Sequence, residues 1–318
     1  MAFASKLIAW QRRHGRRGLP WQGTRDPYRV WLSEIMLQQT QVAAVIPYYE
    51  RFLARFPTVR ALAAAPQDEV LALWSGLGYY ARARNLHAAA KLVAEQGFPA
   101  GAAALERLPG VGRSTAAAIA AFAYGERVAI LDGNVKRVLA RHFGVEGEKA
   151  QWALAGRLLP ARGIETYTQA LMDLGATVCV RAAPRCGECP LARDCHARRE
   201  DRVDQLPSRR GRGPVPERKA TWHIVRCNGE VLLERRAARG LWGGLWVFPE
   251  TRPTRQKGRA LEPFEHGFTH FRLRVRPILY DVKKRPDGGW WVPIEDALAG
   301  AVPAPVRKVL KALPAARR

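Results

Sequence analysis

A chain of 318 residues, 47% of them hydrophobic, can bury a sizeable core and divide into two domains. Lysine and arginine number 52 against 28 acidic residues, and the net charge of +24 points to a polyanionic partner. No run of about 18 apolar residues occurs, which excludes a membrane-spanning helix, and the polar, basic start excludes a signal peptide, so the chain reads as intracellular.

The first segment, MAFASKLIAWQRRHGRR, is an amphipathic helix ending near Gly15. From 19 to 48, Pro27 can start a helix, and Val30, Ile35, Leu37, Val42, Val45 and Ile46 supply the apolar positions of one or two. Glu34 is an acid inside that largely apolar run, although most helical glutamates face solvent. Residues 49–100 look all-helical. Within them, GLGYYARARN (76–85) reads as a turn before a basic surface helix, though tyrosines beside arginines can equally stack on unpaired bases and grip phosphates.

The stretch from Leu108 to Val138, LPGVGRSTAAAIAAFAYGERVAILDGNVKRV, organises the chain. Ala103, Ala104, Leu105 and Leu108 form the apolar side of a helix that Pro109 ends. Gly110 and Gly112 flank Val111 in a turn that needs φ above zero, and Arg113, Ser114 and Thr115 open an Ala/Ile-rich helix. Such a turn exposes N–H groups suited to a phosphate, but taken bare it is equally an ordinary helix hairpin. Asp132 then sits at a turn, with Val135, Val138, Leu139 and Phe143 at helical spacing behind it; an N-cap is its ordinary role. Residues 148–178 are helical again, with Gln169 polar among apolar neighbours.

Four of the five cysteines, Cys179, Cys186, Cys189 and Cys195, follow the spacing C-x6-C-x2-C-x5-C. In an intracellular chain this argues for a metal site rather than disulfides, and the spacing alone divides evenly between Zn²⁺ and an iron–sulfur cluster. Residues 202–218, rich in proline, glycine and arginine, read as a linker. Short alternating strands follow at Thr221–Cys227, Val231–Glu234, Leu245–Phe248, Phe271–Val275 and Pro277–Val282, with a closing helix near Val306–Leu313: an α+β domain. Cys227 lies in an apolar strand and reads as a buried bystander.

LPGVGRSTA followed by ILDGNVKRVLAR resembles the helix–hairpin–helix DNA glycosylase superfamily, and specifically the MutY-type adenine DNA glycosylases. WLSEIMLQQT, the GYYxRxRN segment, the cysteine spacing and GLWGGLWVFPE at 240–250 extend the resemblance over nearly the whole chain. It implies an all-α helix–hairpin–helix glycosylase domain with an iron–sulfur cluster loop over residues 1–201, then an α+β Nudix-like domain that recognises 8-oxoguanine over 219–318. Within the first, a six-helix barrel spans about 22–127, and residues 1–21 join 128–201 in the cluster-bearing half.

The implied activity is monofunctional excision of adenine mispaired with 8-oxoguanine or guanine, in base excision repair, by flipping the base out of the duplex. By the same resemblance Glu34 protonates adenine, Asp132 stabilises the oxocarbenium or a covalent intermediate, and Asn134 orients Asp132 or a phosphate nearby. A buried glutamate would have a high pKa and an aspartate at a polar turn a low one. Trp21 and Leu37 would line the adenine pocket and Gln169 read the base edge. Gln38, Gln39, Tyr79 and Arg82 would contact DNA at the lesion, with Tyr79 as a wedge, and Gly110, Val111, Gly112, Arg113 and Ser114 would hold a phosphate. Arg181, Arg185, Arg193, Arg198 and Arg199 beside the cysteines would grip further phosphates.

The four cysteines would hold a 4Fe–4S cluster, and Phe268, Thr269 and His270 would recognise 8-oxoguanine, Thr269 replacing the family's more usual serine. Strand-cutting endonuclease III relatives carry lysine at the position of Ser114, so this chain should leave the strand intact. The glutamate-rich box REUxEExGU of Nudix hydrolases is absent, which implies no pyrophosphatase activity. The implied partner is double-stranded DNA carrying the mispair, bound by a cytoplasmic, nucleoid-associated monomer with no membrane role. A DNA-binding scaffold without chemistry is opposed by the presence of both Glu34 and Asp132, and a nucleotide hydrolase by the missing box.

Overall fold

The computed structural model describes residues 2–208, 211, 213–268 and 270–314. Fourteen α-helices occur among them: α1 (Phe3–His14), α2 (Pro27–Leu37), α3 (Val42–Arg55), α4 (Val59–Ala64), α5 (Gln67–Trp74), α6 (Ala81–Gln96), α7 (Ala102–Leu105), α8 (Arg113–Tyr124), α9 (Gly133–Phe143), α10 (Glu148–Arg157), α11 (Ile164–Thr177), α12 (His196–Arg199), α13 (Ile294–Ala299) and α14 (Ala304–Lys311). None is long and apolar enough to cross a membrane. By contacts the chain forms two compact units, residues 1–63 with 88–210 and residues 64–87 with 211–318.

The first unit is all-helical. Pro27 opens α2 as expected, and the Asp26 carboxylate accepts the Tyr28 N–H at 2.9 Å. The helix expected to reach Leu108 stops earlier. After α7 the bonds span three residues, Arg107 N–H to Ala104 O and Leu108 N–H to Leu105 O, so the α-helix has ended before Pro109. Of the two glycines in the hairpin only Gly110 needs left-handed freedom, at φ +78°; Gly112 lies at φ −89°.

Helix α8 is buried nearly all round, through Ala116 to Ala121 and Ala123. Side chains this small let neighbouring helices approach closely, and α8 touches α2, α7 and α11. Ala117, Ala118 and Ala121 share a core with Leu7 and Trp10 of α1, Val135 and Leu139 of α9, and Leu171 and Leu174 of α11.

The second unit is built on a seven-stranded sheet: β1 (Glu217–Cys227), β2 (Glu230–Arg235), β3 (Trp246–Val247), β4 (Arg259–Ala260), β5 (Phe264–Gly267), β6 (Arg272–Asp281) and β7 (Trp290–Pro293). The order is β3-β2-β1-β6-β4, with β5 also on β6 and β7 on β2; β1 and β6 run parallel over ten residue pairs. The two strands expected on either side of Arg276 are one continuous strand. Pro277 is tolerated because its carbonyl accepts from Leu261 (2.9 Å), so its missing N–H falls on the side where the neighbour changes from β5 to β4. The short strands β4, β5 and β7 carry too few residues for an alternation to be legible.

Residues 64–87 are fastened to the rest of their own unit. Asp68 accepts from Arg235 (2.5 Å) and from Trp246 Nε1 (3.2 Å), Ser75 Oγ donates to Val302 O (2.8 Å), and Arg84 Nη1 donates to Gly243 O (2.7 Å).

Ala121 is fully buried where α8 meets its neighbours. Ala121→Leu should therefore lower stability by about 1–3 kcal/mol in urea unfolding, and an unchanged midpoint would show that this core has room to spare.

Candidate active site

The site is assembled from three pieces of the helical unit: the end of α2, the hairpin before α8, and the turn into α9. Glu34 lies on α2, four residues before Gln38, which ends the helix. Gln38 Nε2 reaches the hairpin by two long bonds, to Gly110 O (3.4 Å) and Thr115 Oγ1 (3.3 Å). Ser114 Oγ accepts the Leu131 N–H at 2.9 Å, stitching the start of α8 to the residue just before Asp132.

Asp132 is the N-cap of α9. Its Oδ1 accepts the Val135 N–H at 2.8 Å, and Oδ2 accepts from Asn134 Nδ2 at 3.4 Å. Asn134 is itself held by Arg137 Nη2 (2.8 Å). The same guanidinium donates to Gly175 O (2.7 Å) and to Cys179 O (2.7 Å), which locks α9 to the end of α11. The packing is tight here: a Cβ on Gly175 would stand 2.5 Å from Asn134 Cβ.

Burial pushes the Glu34 carboxyl up to about 8, and the neighbouring charge of Asp132 pushes in the same direction. The two acids are thus within each other's field. Asp132 departs from the low value expected of a polar turn. Burial raises it, outweighing the hydrogen bonds from Val135 and Asn134 and the charge of Arg137, all of which lower it.

Trp21 is buried with its ring edge-on to Tyr49 (5.3 Å), and Leu37 is half-buried at the last position of α2. Gln169 is half-buried on α11, its Nε2 donating to Asp173 Oδ1 at 2.8 Å. Val111 is buried in the hairpin, and Arg113 lies over the Trp152 ring at 3.9 Å. Gln39 is exposed with φ +55°, a backbone strain uncommon outside glycine.

In the second unit, Tyr79 also has positive φ (+49°), directly after Gly78 at +73°, and its side chain is exposed. Arg82 does not reach outward. It is buried, donates to Leu77 O (3.3 Å) and Gly78 O (3.2 Å), and lies over the rings of Trp74 and Tyr79, so it braces the turn that presents Tyr79. Phe268 stacks on Phe271 at 4.4 Å and packs on Trp242 and His266, while its N–H donates to Phe271 O (2.8 Å). His270 is exposed at the tip of this turn, and Thr269 lies outside the described residues.

Cys179, Cys186, Cys189 and Cys195 all line one pocket, together with Arg141 and Arg198. Arg141 spans this loop, donating to Val180 O (2.7 Å), Arg181 O (3.1 Å) and Leu206 O (2.9 Å). Among the described residues, no three His, Cys, Asp or Glu side chains converge on one metal ion. Arg181, Arg185, Arg193, Arg198 and Arg199 are exposed around the pocket.

Arg137, Asp173 and Gly175 carry no signal in the sequence. No local pattern marks them, because the partners that give them importance lie on other helices.

The helix–hairpin–helix turn, the paired acids and the strand-built second unit define a base-excision DNA glycosylase carrying a Nudix-type domain. Residues 32–157 match the profile of the HhH-GPD superfamily base excision DNA repair protein, and residues 220–312 match the NUDIX domain. The adenine DNA glycosylase of Buchnera aphidicola subsp. Schizaphis graminum is 33% identical over 97% of this chain and 98% of its own length. That of Homo sapiens is 31% identical over 98% of this chain and 73% of its own. A thermostable thymine-DNA glycosylase structure is similar at 30% identity and a TM-score of 0.58, over 62% of this chain and 95% of its own. An endonuclease III–DNA complex, 20% identical with a TM-score of 0.55, shares the fold over 62% of this chain and 94% of its own. The chain belongs to the adenine DNA glycosylase family of MutY type, and it is an N-glycosylase of base excision repair.

Two measurements probe the geometry. Gly175→Ala should destabilise the helical unit by about 1–3 kcal/mol, since neither Asn134 nor its backbone can yield without moving α9. Glu34 keeps its proton in the folded state up to about pH 8 but loses it near 4.5 when unfolded. Its contribution to stability is therefore fully present below 4.5 and declines as pH rises to 8, by at most about 1.4 kcal/mol per pH unit. Glu34→Gln should remove that slope in urea unfolding between about pH 5 and 8; parallel curves for the two proteins would contradict the assignment.

Proposed function

We propose that this glycosylase excises adenine paired with 8-oxoguanine or guanine from duplex DNA and leaves an intact abasic strand. The observation that carries the reading is the pair of acids, a glutamate that burial pushes up to about 8 in the field of Asp132, whose carboxylate is held by the Val135 N–H and the Asn134 amide. Extruded from the stack, adenine accepts the Glu34 proton on a ring nitrogen. The C1′–N9 bond then breaks with its electron pair going to the leaving base. Asp132 stabilises the oxocarbenium, or traps it covalently, until water attacks C1′. Asn134, held by Arg137, keeps the Asp132 carboxylate turned toward the sugar.

The exposed, strained positions of Gln39 and Tyr79 support contacts at the lesion, as wedging side chains require rigid backbones. The Gly110–Ser114 turn suits a DNA phosphate, and the +24 charge suits the duplex as a whole. Ser114 has a hydroxyl occupied by the Leu131 N–H and no amine to form a Schiff base, which supports base release without strand scission. The turn carrying Phe268 and His270 is assigned to 8-oxoguanine, and the Nudix-type domain is read as a recognition module without hydrolase activity.

The four cysteines fit a 4Fe–4S cluster. All four line one pocket, and four cysteine thiolates are the donor set such a cluster takes. Cys179, Cys186, Cys189 and Cys195 would hold it, and a bound cluster would cross-link the 179–195 loop, which Arg137 and Arg141 tie to α9.

Single-turnover assays on duplexes with adenine opposite 8-oxoguanine test the assignment. Glu34→Gln and Asp132→Asn should each abolish adenine release with duplex binding retained, and wild-type activity should fall as pH rises through about 8. Near-normal cleavage by either variant would remove that residue from its role. Cys189→Ser should lose the iron content and visible absorbance of the purified protein; retention of both would contradict the cluster.

A further inference from the structure

Asp173 is fully buried on α11, yet one carboxylate there accepts five donor contacts. Gln11 Nε2 (2.8 Å) and the Arg16 N–H (2.9 Å) reach Oδ2. Arg16 Nε (2.7 Å), Arg16 Nη2 (2.6 Å) and Gln169 Nε2 (2.8 Å) reach Oδ1. A carboxylate only accepts, so this arrangement determines which way the Gln169 amide faces. One amide N–H is spent on Asp173, which leaves Oε1 and the second N–H for a ligand. The carboxylate also anchors the loop that carries Trp21: Arg16 O accepts from Gln22 Nε2 (3.0 Å), and Gln22 Oε1 accepts the Leu19 N–H (3.2 Å).

Resting on the reading of Gln169 as the residue that meets the adenine edge, we propose that Asp173 is a positioning residue for base selection. An amide held this way offers its carbonyl to an exocyclic amine and its N–H to the adjacent ring nitrogen, a pattern adenine completes. A base with a carbonyl in place of that amine, such as hypoxanthine or guanine, meets oxygen with oxygen. Were the amide free to turn over, its amine would accommodate that carbonyl and the preference would vanish. Asp173 withholds the turnover, because the flipped amide would set Oε1 against a buried carboxylate.

The test compares single-turnover release of adenine and of hypoxanthine, each opposite 8-oxoguanine, for the wild type and a set of variants. The wild type should favour adenine. Asp173→Asn, whose own amide can both donate and accept, should cut the adenine-to-hypoxanthine ratio by about tenfold or more, and Gln169→Ala should do the same. The double variant should fall no further. Asp173→Glu keeps the charge for Arg16 but displaces the acceptor, and should lower the ratio as well. Gln11→Ala removes a structural donor without touching the Gln169 bond, and should lower the melting temperature at an unchanged ratio. A wild-type ratio in either folded Asp173 variant, with only the melting temperature reduced, overturns the proposal. If the wild type releases no adenine, the parent assignment falls and takes this one with it.

Discussion

Two carboxyl groups, both drawn away from water and each within reach of the other's charge, set the terms for the helical unit. Such a pair is costly to bury, and the structure directs its hydrogen bonds to one member. Asp132 receives a backbone N–H, an amide and a nearby guanidinium, whereas Glu34 is perturbed by burial and by its neighbour's charge. That asymmetry gives the two carboxyls unlike surroundings. One acid can then donate while the other stabilises positive charge, a division of labour that two equivalent carboxylates could not provide.

Holding those acids in place is a task for residues that carry no chemistry of their own. The Ser114 hydroxyl ties the hairpin to Leu131, and Arg137 joins Asn134 to Gly175 and Cys179. The lack of a side chain at Gly175 lets α11 press on the start of α9. The cysteine loop and the acid pair therefore share a single guanidinium, so that disorder in one reaches the other through short, directional bonds. Asp173 works in the same way on the opposite flank, gathering α1, the 16–22 loop and Gln169 onto one acceptor.

Much of this was legible in the chain. Pro27 after Asp26 marks a helix start through local sterics and capping, and Asp132 before a run of helically spaced apolar residues marks another. The cysteine spacing argued for a metal site, and in the fold the four side chains line one pocket; the alternating strands announced the second domain's class. Other features depend on neighbours too distant to be read. The direction of the Asp132 shift follows from how deeply the turn is packed. The carbonyls of Leu77 and Gly78 and the two aromatic rings that meet Arg82 are a further case, since no spacing in the segment marks them as its partners. Pro277 looked like a strand break, and it is not one because its absent N–H coincides with a change of neighbouring strand.

Sequence alone therefore settled the character of the pieces: which segments coil, which alternate, which turn exposes N–H groups, and which side chains have acid, amide or thiol chemistry. These follow from interactions over a few residues, where spacing and side-chain type are sufficient. Folding settled the pairings: Glu34 with Asp132, Arg137 with Cys179, Asp173 with Gln169 and Arg16. Each of those depends on which groups end up beside one another out of water, and burial and close contact exist only once the helices have packed.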